Sequence, residues 1–519
     1  MTKHTAWFEP CCVACALDAC LLLYAEALRE HCGGGAPWKA RAIWDMLHAR
    51  RSRPEYQAAP LAGRPVVVCG AGPCGLRAAL EMALLGASVT VIEKRGLADA
   101  CGRINRVHLW EWCKQDLVQW GAKLFDPPGG AFGRDNDFCH IPRMPLPRPS
   151  DIGIGELQLL LLKNALLLGV DVRFGAEALA VEQGELACAC GARLPCWSLV
   201  LSSGASSPIS HAVGLNPVVV GLRGKGSAIG VVANFANSQE ADQMALRQFS
   251  WARQFNAPLF RRITEEVSVD LENVVYYKGA RHHYMVMTPT KASLIGAGVL
   301  RDGQPAGGEL LCGGNVDAGR LRELTSSVAA FFGLPADALL EGPQGATIFD
   351  FSGVRLESPT AMASGVLVCA VGDALLEPFW PEGLGILRGF MSALDAASAL
   401  ALGAQDGHSA AVAQLAATFT VLKSVAAQTA AQCLQKDMTP ASTGWRRPRG
   451  TRPASCETRG PAAGRTRGAR LRLRAPRCCP ASAQSAARCN GLRAGDRRPP
   501  RGCVIQLLSP RLEWALAQQ

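Results

Sequence analysis

The chain has 519 residues, of which 19% are charged, and carries a formal net charge of +11 at pH 7. A chain of this length holds two or three domains with a large buried core, which excludes a small scaffold held together by disulfides. The charge is uneven, because the residues after position 440 contain 17 arginines, no lysine and 3 acidic residues. The rest of the chain holds 37 basic and 40 acidic residues, so the basic character belongs to the tail.

Targeting and redox features favour an intracellular location. The N-terminus MTKHTAWFEP lacks a basic stretch followed by an apolar run, so no secretory signal is expected. The apolar stretches at residues 14–28 and 157–168 are too short and too interrupted to span a bilayer, so no membrane partner is expected. The 21 cysteines show neither disulfide-framework nor standard zinc spacing, which predicts reduced thiols in the cytosol or nucleus and no bound metal.

The N-terminal residues are predicted to be helical. In residues 38–57, apolar side chains recur at near-helical spacing, and charged side chains including Asp45 and Arg50 are left for water. This pattern predicts a helix that packs on the main domain without chemistry of its own.

Residues 66–93 are the most informative stretch. A β-branched run enters the turn Gly70-Ala-Gly72-Pro-Cys-Gly75, an amphipathic helix follows to about Leu85, and a second β-branched run ends at Glu93. The glycines permit a tight turn, close approach of a pyrophosphate and close packing of helix on strand, and the helix N-terminus favours negative charge. An acidic residue about 20 positions later accepts hydrogen bonds from ribose hydroxyls. The stretch therefore predicts a dinucleotide site.

Polar side chains directly follow the second strand. Lys94, Arg95, Arg103 and Asn105 are placed to reach phosphate or ribityl oxygens, although a solvated charged loop explains their composition equally well. Further on, a loop is predicted at residues 125–150, a buried helix at 154–168, and strands of the same parallel sheet at 170–174 and 199–203, as in βαβ units.

The pattern changes after residue 218 to longer strand-like runs, which predict an antiparallel sheet. The expected strands are residues 229–235, 274–278, 283–288 and 293–300. No second complete glycine fingerprint occurs in this region, so one dinucleotide-binding fold is predicted.

The chain returns to the first domain at a buried strand that ends in Gly372-Asp373. This places a carboxylate at the carboxyl edge of the sheet, where it can hold ribityl hydroxyls. A glycine-rich segment containing Trp380 then leads into a helix at about residues 390–402, whose N-terminus can stabilise negative charge on a reduced flavin. An early fingerprint, a late Gly-Asp strand and an antiparallel domain between them describe a flavin hydroxylase fold.

Several long strings resemble one family, the MICAL flavoprotein monooxygenases that oxidise actin. They are WKARAIW, GAGPCGLRAA, VIEKR, HLW, ELQLLLLKNALLLGV, IGVVANF, DLENVVYYK, HYMVMT, FDF and VGDALLEPFWPEGLGILRGF. They spread in order over residues 38–402, and strings as rare as DLENVVYYK make chance similarity negligible.

The resemblance implies a cofactor, a reaction and site residues. FAD and NADPH would serve a monooxygenase that converts actin methionines to sulfoxide and promotes filament disassembly, with Trp380 at the mouth of the flavin site as the substrate-contacting residue. The FAD-binding residues would be Gly70, Gly72, Cys74, Gly75, Glu93, Lys94, Arg95, Arg103, Ile104, Asn105, Tyr277 from the Tyr276-Tyr277 pair, and Asp373.

The implied fold class is α/β, with an FAD-binding Rossmann-like parallel sheet, an inserted antiparallel domain as in aromatic hydroxylases, a helical N-terminus and a disordered tail. The predicted boundaries are 1–62 for the helical segment, 63–215 and 346–435 for the two parts of the FAD-binding domain, 216–345 for the antiparallel domain on the substrate and NADPH side, and 436–519 for the tail rich in Arg, Pro and Ala.

The expected partners are filamentous actin as substrate, NADPH and dioxygen, in the cytoplasm and at the cytoskeleton. The basic tail is interpreted as a solvated linker or as an arm for acidic actin or nucleic acid, and nucleic acid is not the expected partner. Two alternatives stay open. A hydroxylase of small aromatic substrates would need a closed apolar pocket, and an actin-binding scaffold with a vestigial flavin site is opposed by the intact glycines and acidic residues of the fingerprint.

Overall fold

The computed structural model describes residues 38–103, 105–123, 125, 150–205, 207–219, 229–236, 249–253, 256–278, 282–303, 310–334, 338–342, 345–350, 354–378 and 383–433. Residues 1–37, Ile104, most of the loop predicted for 125–150, Trp380 and the predicted tail lie outside these ranges.

The strands and helices alternate along the first half of the described chain and then change to a strand-rich region. The strands are β1 Pro65–Cys69, β2 Ser88–Glu93, β3 Arg106–Leu109, β4 Ser150–Gly153, β5 Asp171–Phe174, β6 Ala178–Glu182, β7 Glu185–Cys188, β8 Arg193–Pro195, β9 Ser198–Leu201, β10 Pro217–Val219, β11 Ile229–Ala236, β12 Phe249–Ala252, β13 Leu271–Lys278, β14 His282–Pro289, β15 Ala346–Asp350, β16 Val354–Leu356, β17 Thr360–Ala363 and β18 Val366–Ala370. The helices are α1 Trp38–Arg51, α2 Pro54–Gln57, α3 Pro73–Leu84, α4 Leu97–Cys101, α5 Glu111–Val118, α6 Ile154–Leu167, α7 Pro208–Ala212, α8 Ala257–Val267, α9 Lys291–Gly296, α10 Ala318–Phe331, α11 Gly385–Asp406 and α12 His408–Cys433.

A six-stranded sheet in the order β17-β18-β9-β1-β2-β5 forms the centre of the first domain. Its strands are parallel except for the edge strand β17, which pairs antiparallel with β18. The chain adds β2 and β5 on one side of β1, and β9 and β18 on the other. The strand order therefore reverses between β1 and β9, and crevices for ligands form at the carboxyl ends of strands at such a point.

The predicted βαβ unit is confirmed by β1, α3 and β2. The three valines of β1 are buried, because the strand lies inside the sheet with covered faces. Helix α3 has Pro73 at its first position and buries Leu76 and Leu80 completely against the sheet and neighbouring helices. Helix α6 and strands β5 and β9 also lie within one or two residues of their predicted limits.

A second, antiparallel sheet has the order β12-β13-β14-β11-β15. One face packs on α8 and α10 and forms a separate apolar core, which includes Val274, Tyr276 and Met285. The other face carries a smaller cluster that includes Tyr277 and Tyr284. The predicted α/β fold class with an inserted antiparallel sheet is thus confirmed, while the domain boundaries stay predictions.

The strand predicted for residues 293–300 is wrong, because residues 291–296 form helix α9. Thr290 precedes the helix, and its hydroxyl oxygen accepts a hydrogen bond from the backbone N–H of Ser293 at 3.3 Å. An N-cap of this kind satisfies a free N–H of the first turn and favours helix over strand in a short apolar run. The antiparallel meander β6-β7-β8 was not predicted.

The structure also corrects the environment of Arg50 on α1, which was expected to face water but is 3% exposed. Its Nη2 donates to Asp116 Oδ1 at 3.2 Å, and the fully buried Arg77 donates to Asp116 Oδ2 at 2.7 Å. Arg77 also donates to Glu81, which accepts a further hydrogen bond from the Tyr56 hydroxyl. This buried network joins α1 and α2 to α3 and α5.

Helix α11 begins at Gly385, five residues before the predicted start. Among the described helices, it is the one that is long and apolar enough to cross a membrane by length and composition. However, 78% of its apolar stretch is buried inside the protein. Its packing on α3 and α12 is that of a core helix.

Asp395 on α11 gives a prediction about stability. This carboxyl is 6% exposed, and burial raises its pKa to about 7. Unfolded aspartate has a pKa of about 3.9, so the folded state holds the proton more tightly, and this stabilising contribution is lost as the pH rises from about 4 to about 7. We expect Asp395→Asn to remove that loss and to raise the free energy of unfolding at neutral pH.

Urea unfolding of the wild type and Asp395→Asn across this pH range measures the effect, which amounts to about 1.4 kcal/mol for each unit of pKa shift. Asp45→Asn, a change at an exposed position on α1, is the matched control and is expected to keep the wild-type pH dependence. Identical pH profiles for the wild type and Asp395→Asn would contradict the prediction.

Candidate cofactor site

The candidate site lies at the carboxyl edge of the parallel sheet, where the glycine turn, the end of β2, the loop before β3 and the end of β18 meet. Gly70 begins the turn at φ +108°, a conformation that glycine adopts without strain. Its N–H donates to the Ile92 carbonyl at 2.7 Å, which fastens the turn to β2.

Gly70 and Gly75 are required by close packing against neighbouring backbone. A Cβ at Gly75 would overlap the Gly70 carbonyl oxygen and touch the Ser202 side chain. A Cβ at Gly70 would overlap the Ser202 carbonyl group, which follows β9. The turn therefore sits in the crevice between β1 and β9.

Gly72 differs, because a Cβ there would meet no protein atom within 4 Å. It is the N-cap of α3, so open space lies beside the free N–H groups of the first helical turn. An anion such as a pyrophosphate fits this position, since those N–H groups and the helix dipole favour negative charge.

Glu93 ends β2 and is 5% exposed. Its carboxylate accepts hydrogen bonds from the Ala71 N–H at 3.0 Å and from the Arg95 backbone N–H at 3.1 Å, and Arg95 Nε donates to it at 2.8 Å. Burial opposes ionisation, but these hydrogen bonds outweigh it and hold the pKa of Glu93 below its usual value. The group is thus a fixed anion beside the glycine turn, suited to accept from ribose hydroxyls.

Asp373 follows β18 and lies within electrostatic range of Arg103 and Cys74. Crowding by protein atoms raises the pKa of Asp373 to about 6, and Arg103 opposes this shift. The residue nevertheless stays accessible to water. A carboxyl that is crowded by protein atoms and still reaches solvent is suited to bind the hydroxyls of a cofactor.

Cys74 packs between the two halves of the site. A Cβ at Gly389 on α11 would overlap the Cys74 sulfur, and a Cβ at Gly372 would be 3.0 Å from it. Burial, and to a smaller extent Asp373, raise the pKa of the Cys74 thiol. The thiol therefore stays protonated and packs the start of α3 against α11, and the backbone of Cys74 is the part available to a ligand.

Arg103 and Asn105, in the loop before β3, are held from two sides. On one side, the backbone N–H groups of Ile154 and Gly155 at the start of α6 donate to the carbonyls of Asn105 and Arg103, at 2.8 and 3.2 Å. On the other side, Asn105 Nδ2 donates to Asn234 Oδ1 of the antiparallel sheet at 3.4 Å.

The predicted Tyr277 lies on the face of the antiparallel sheet that meets this loop. Its ring stacks on Tyr284, with centroids 4.8 Å apart, and the Tyr284 hydroxyl bonds to the backbone of Arg106. Tyr276 is directed to the opposite, core-forming face and bonds to His283 instead. The structure thus separates the two tyrosines that the sequence leaves paired.

Two residues that support the site were not predicted. The buried Gln158 on α6 donates through Nε2 to the Ala71 carbonyl at 3.1 Å and so braces the glycine turn. The Ser392 hydroxyl on α11 accepts from the Gly372 N–H at 2.9 Å and donates to the Gly389 carbonyl at 2.8 Å. Both have the pattern of ordinary helix residues in the sequence, and only the backbone groups that they contact across the fold reveal their role.

Most of the predicted cofactor residues are therefore brought together, and the role of each in binding stays a prediction. Lys94 is exposed at the end of β2, and Ile104 and Trp380 lie outside the described residues. Trp110, which precedes α5, donates through its indole N–H to the Gly383 carbonyl at 3.0 Å and anchors the chain just before α11.

The chain matches one family model and is similar to solved structures and to curated proteins. A family model described as "Mical, Rossman domain" matches residues 227–339, which contain four strands of the antiparallel sheet, whereas the glycine fingerprint lies outside the match. Among solved structures, the anhydrotetracycline hydroxylase OxyS from Streptomyces rimosus is similar with a TM-score of 0.48 at 17% identity, covering 73% of this chain and 70% of that chain.

Three relatives are similar over most of the chain. The F-actin monooxygenase MICAL1 of Rattus norvegicus is 35% identical over 407 residues, which are 72% of this chain and 37% of that protein. The F-actin monooxygenase Mical of Drosophila melanogaster is 34% identical over 77% of this chain and 8% of its own length, and human MICAL1 is 36% identical over 70% and 35%. The chain thus spans 37% or less of these relatives, and with this identity over more than two thirds of its own length it belongs to the MICAL family.

Proposed function

We propose that this chain is an FAD- and NADPH-dependent monooxygenase that oxidises methionine side chains of filamentous actin to the sulfoxide and thereby promotes filament disassembly. The observation that carries the proposal is the set of groups at the carboxyl edge of the parallel sheet, where the open space at Gly72 and the carboxyls of Glu93 and Asp373 offer complementary groups to a dinucleotide. Family membership supports the same activity, because the relatives are named F-actin monooxygenases.

The described residues fit FAD. The open space at Gly72 would receive the pyrophosphate, and Glu93 would accept from the adenosine ribose. Asp373 would accept from ribityl hydroxyls, with Arg103 nearby to neutralise phosphate charge. Gly70, Cys74, Gly75, Lys94, Arg95, Ile104, Asn105 and Tyr277 complete the proposed binding set.

The chemistry that FAD supplies when bound is the two-electron reduction of dioxygen at the expense of NADPH, with one oxygen atom going to a thioether and the other leaving as water. The chain's own residues bind, orient and provide electrostatic support. Helix α11 begins at Gly385, about one turn before Gly389, which packs on Cys74. The free N–H groups of its first turn therefore favour negative charge in this part of the site. No side-chain base is needed for oxygen transfer to sulfur.

Trp380 is the proposed substrate-contacting residue, since it lies in a proline-flanked segment between β18 and α11. A large aromatic side chain there would meet a protein surface, as a filament substrate requires. The proposed location is the cytoplasm, in association with the cytoskeleton. We prefer this substrate to a small aromatic compound because the relatives are named for F-actin.

The test is NADPH consumption by the purified, flavin-loaded chain with and without filamentous actin, followed by measurement of methionine sulfoxide in the actin. We expect filaments to stimulate turnover and to acquire sulfoxide, and Trp380→Ala to lose both effects while retaining FAD. Equal NADPH consumption with and without filaments, and no sulfoxide, would refute the actin substrate. A colourless protein that shows no flavin spectrum on addition of FAD would refute the cofactor.

The raised pKa of Asp373 predicts a pH dependence of flavin binding. Above about pH 6 the group is ionised and accepts hydrogen bonds from hydroxyls, and below this pH it is protonated and loses acceptor capacity. We expect the dissociation constant of FAD to rise as the pH falls through about 6, and Asp373→Asn to bind weakly at all pH values without that step. Titration of the flavin-free protein by fluorescence measures this, and a step of the same size in Asp373→Asn would assign it to another group.

A further inference from the structure

The antiparallel sheet carries a row of three polar side chains on the face that contacts Asn105 and Arg106. Tyr277, Tyr284 and Asn234 are direct neighbours across β13, β14 and β11, because the strand registers pair Tyr277 with Tyr284 and Asn234 with Tyr284. Side chains at paired positions share one face of a sheet. The row therefore lies on the face opposite the core that contains Tyr276.

The Tyr284 hydroxyl bonds to both main-chain polar groups of Arg106, the first residue of β3. The Arg106 N–H donates to the hydroxyl oxygen at 3.0 Å, and the hydroxyl donates in turn to the Arg106 carbonyl at 3.1 Å. A single phenol thus uses its donor and an acceptor site on the main chain of one residue. The side chain is 3% exposed and its ring is stacked on Tyr277, so its position is fixed by packing.

These hydrogen bonds hold the chain directly after Asn105, which the start of α6 contacts from one side and Asn234 of the antiparallel sheet from the other. The start of α6 holds the carbonyls of Arg103 and Asn105, and Tyr284 holds the next residue from the other domain. The loop before β3 carries Arg103, whose charge lies within electrostatic range of Asp373 at the carboxyl edge of the sheet. Movement of the loop would therefore move a charged group of the site.

We propose that Tyr284 is a positioning residue for Arg103 and Asn105 in the loop before β3. Through it, the antiparallel sheet sets the affinity of the flavin site in the parallel-sheet domain. The inference rests on the proposed FAD site and adds a residue that does not itself contact the cofactor. Tyr277 serves as the support of the Tyr284 ring as well as a proposed cofactor contact.

The test compares Tyr284→Phe with Tyr276→Phe. Tyr284→Phe keeps the stacked ring and removes only the hydroxyl, leaving two groups of Arg106 without that partner. Tyr276→Phe removes a hydroxyl from the adjacent strand of the same sheet, where it bonds at 2.8 Å to His283 on the core face, away from the loop. Each variant loses one tyrosine hydroxyl group, and the two groups lie on opposite faces of the same sheet.

We expect Tyr284→Phe to raise the dissociation constant of FAD about tenfold, because the free energy of one hydrogen bond corresponds to a change of about this size in a binding constant. We also expect the variant to alter the shape of the visible flavin band. Tyr276→Phe is expected to lower the melting temperature of the flavin-free protein and to leave flavin affinity and spectrum at wild-type values. Asn234→Ala, which removes the hydrogen bond from Asn105 to the sheet, is expected to weaken FAD binding in the same direction as Tyr284→Phe.

Equal FAD dissociation constants for Tyr284→Phe, Asn234→Ala and Tyr276→Phe would overturn the inference even if the wild type binds FAD normally. Failure of the wild type to bind FAD would instead refute the proposed function. Loss of affinity in strict proportion to the loss of melting temperature in all three variants would show a structural role alone and would also overturn the inference.

Discussion

Replacing Gly75 by alanine is expected to abolish flavin binding, with less than about a tenth of the wild-type flavin retained after purification. The added methyl group would overlap the Gly70 carbonyl oxygen and touch the Ser202 side chain, so helix α3 and the turn must move apart. Such backbone overpacking costs about 1–3 kcal/mol or more and displaces the N–H groups that face the open space at Gly72. Flavin absorbance per protein and the melting temperature report the two consequences.

Gly72→Ala is the matched control on the same turn. Its methyl group meets no protein atom within 4 Å, and the residue has an ordinary φ of −69°, so the flavin-free protein is expected to keep its wild-type melting temperature. The methyl group would nevertheless fill space proposed for the pyrophosphate, and FAD affinity is expected to fall. Unchanged affinity in Gly72→Ala would remove the pyrophosphate from this position, and wild-type flavin content in Gly75→Ala would contradict the packing argument.

Replacing Asp116 by alanine is expected to lower the free energy of unfolding by roughly 3–5 kcal/mol, the cost of breaking a buried ion pair by removing one partner. Asp116 accepts from the fully buried Arg77 at 2.7 Å and from the buried Arg50 at 3.2 Å. Burial opposes its ionisation, but the two guanidinium groups hold its pKa below the usual value. Without Asp116, Arg50 loses its charged partner and Arg77 keeps only Glu81.

Urea unfolding at neutral pH measures this loss. Glu182→Ala is the control, because Glu182 pairs with Arg193 on the surface, where an ion pair contributes about 0–1 kcal/mol. A destabilisation of Asp116→Ala no larger than that of Glu182→Ala would mean that water reaches the network and solvates the two arginines.

The parallel-sheet domain could be predicted because its signals are local. The βαβ unit combines a β-branched run, a glycine turn and an amphipathic helix within 30 residues, and the structure places β1, α3 and β2 there. The Gly372-Asp373 strand end was predictable for the same reason, since a buried run stops at a glycine that adopts φ +62°.

The features of the fold and of the site that could not be predicted from the sequence depend mainly on residues that are distant along the chain. Arg50 is polar by any local criterion, and its burial follows from Asp116, which is 66 positions away. Gln158 and Ser392 support the glycine turn and the end of β18 by single hydrogen bonds across the fold. The short apolar run after Thr290 is compatible with strand or helix, and the Thr290 cap decides it.

The order of strands in the parallel sheet also bears on how the chain folds. Strand β9 pairs on one side with β1, which is synthesised long before it, and on the other with β18, which is synthesised long after it. Such non-local pairing makes folding slow, and until Val366 and the following residues arrive, the fully buried β9 presents an open apolar edge. A nascent or truncated chain ending before β18 is therefore exposed to edge-to-edge aggregation. It also lacks the proposed cofactor residue Asp373, so we expect stable flavin binding only after this last parallel strand has joined the sheet.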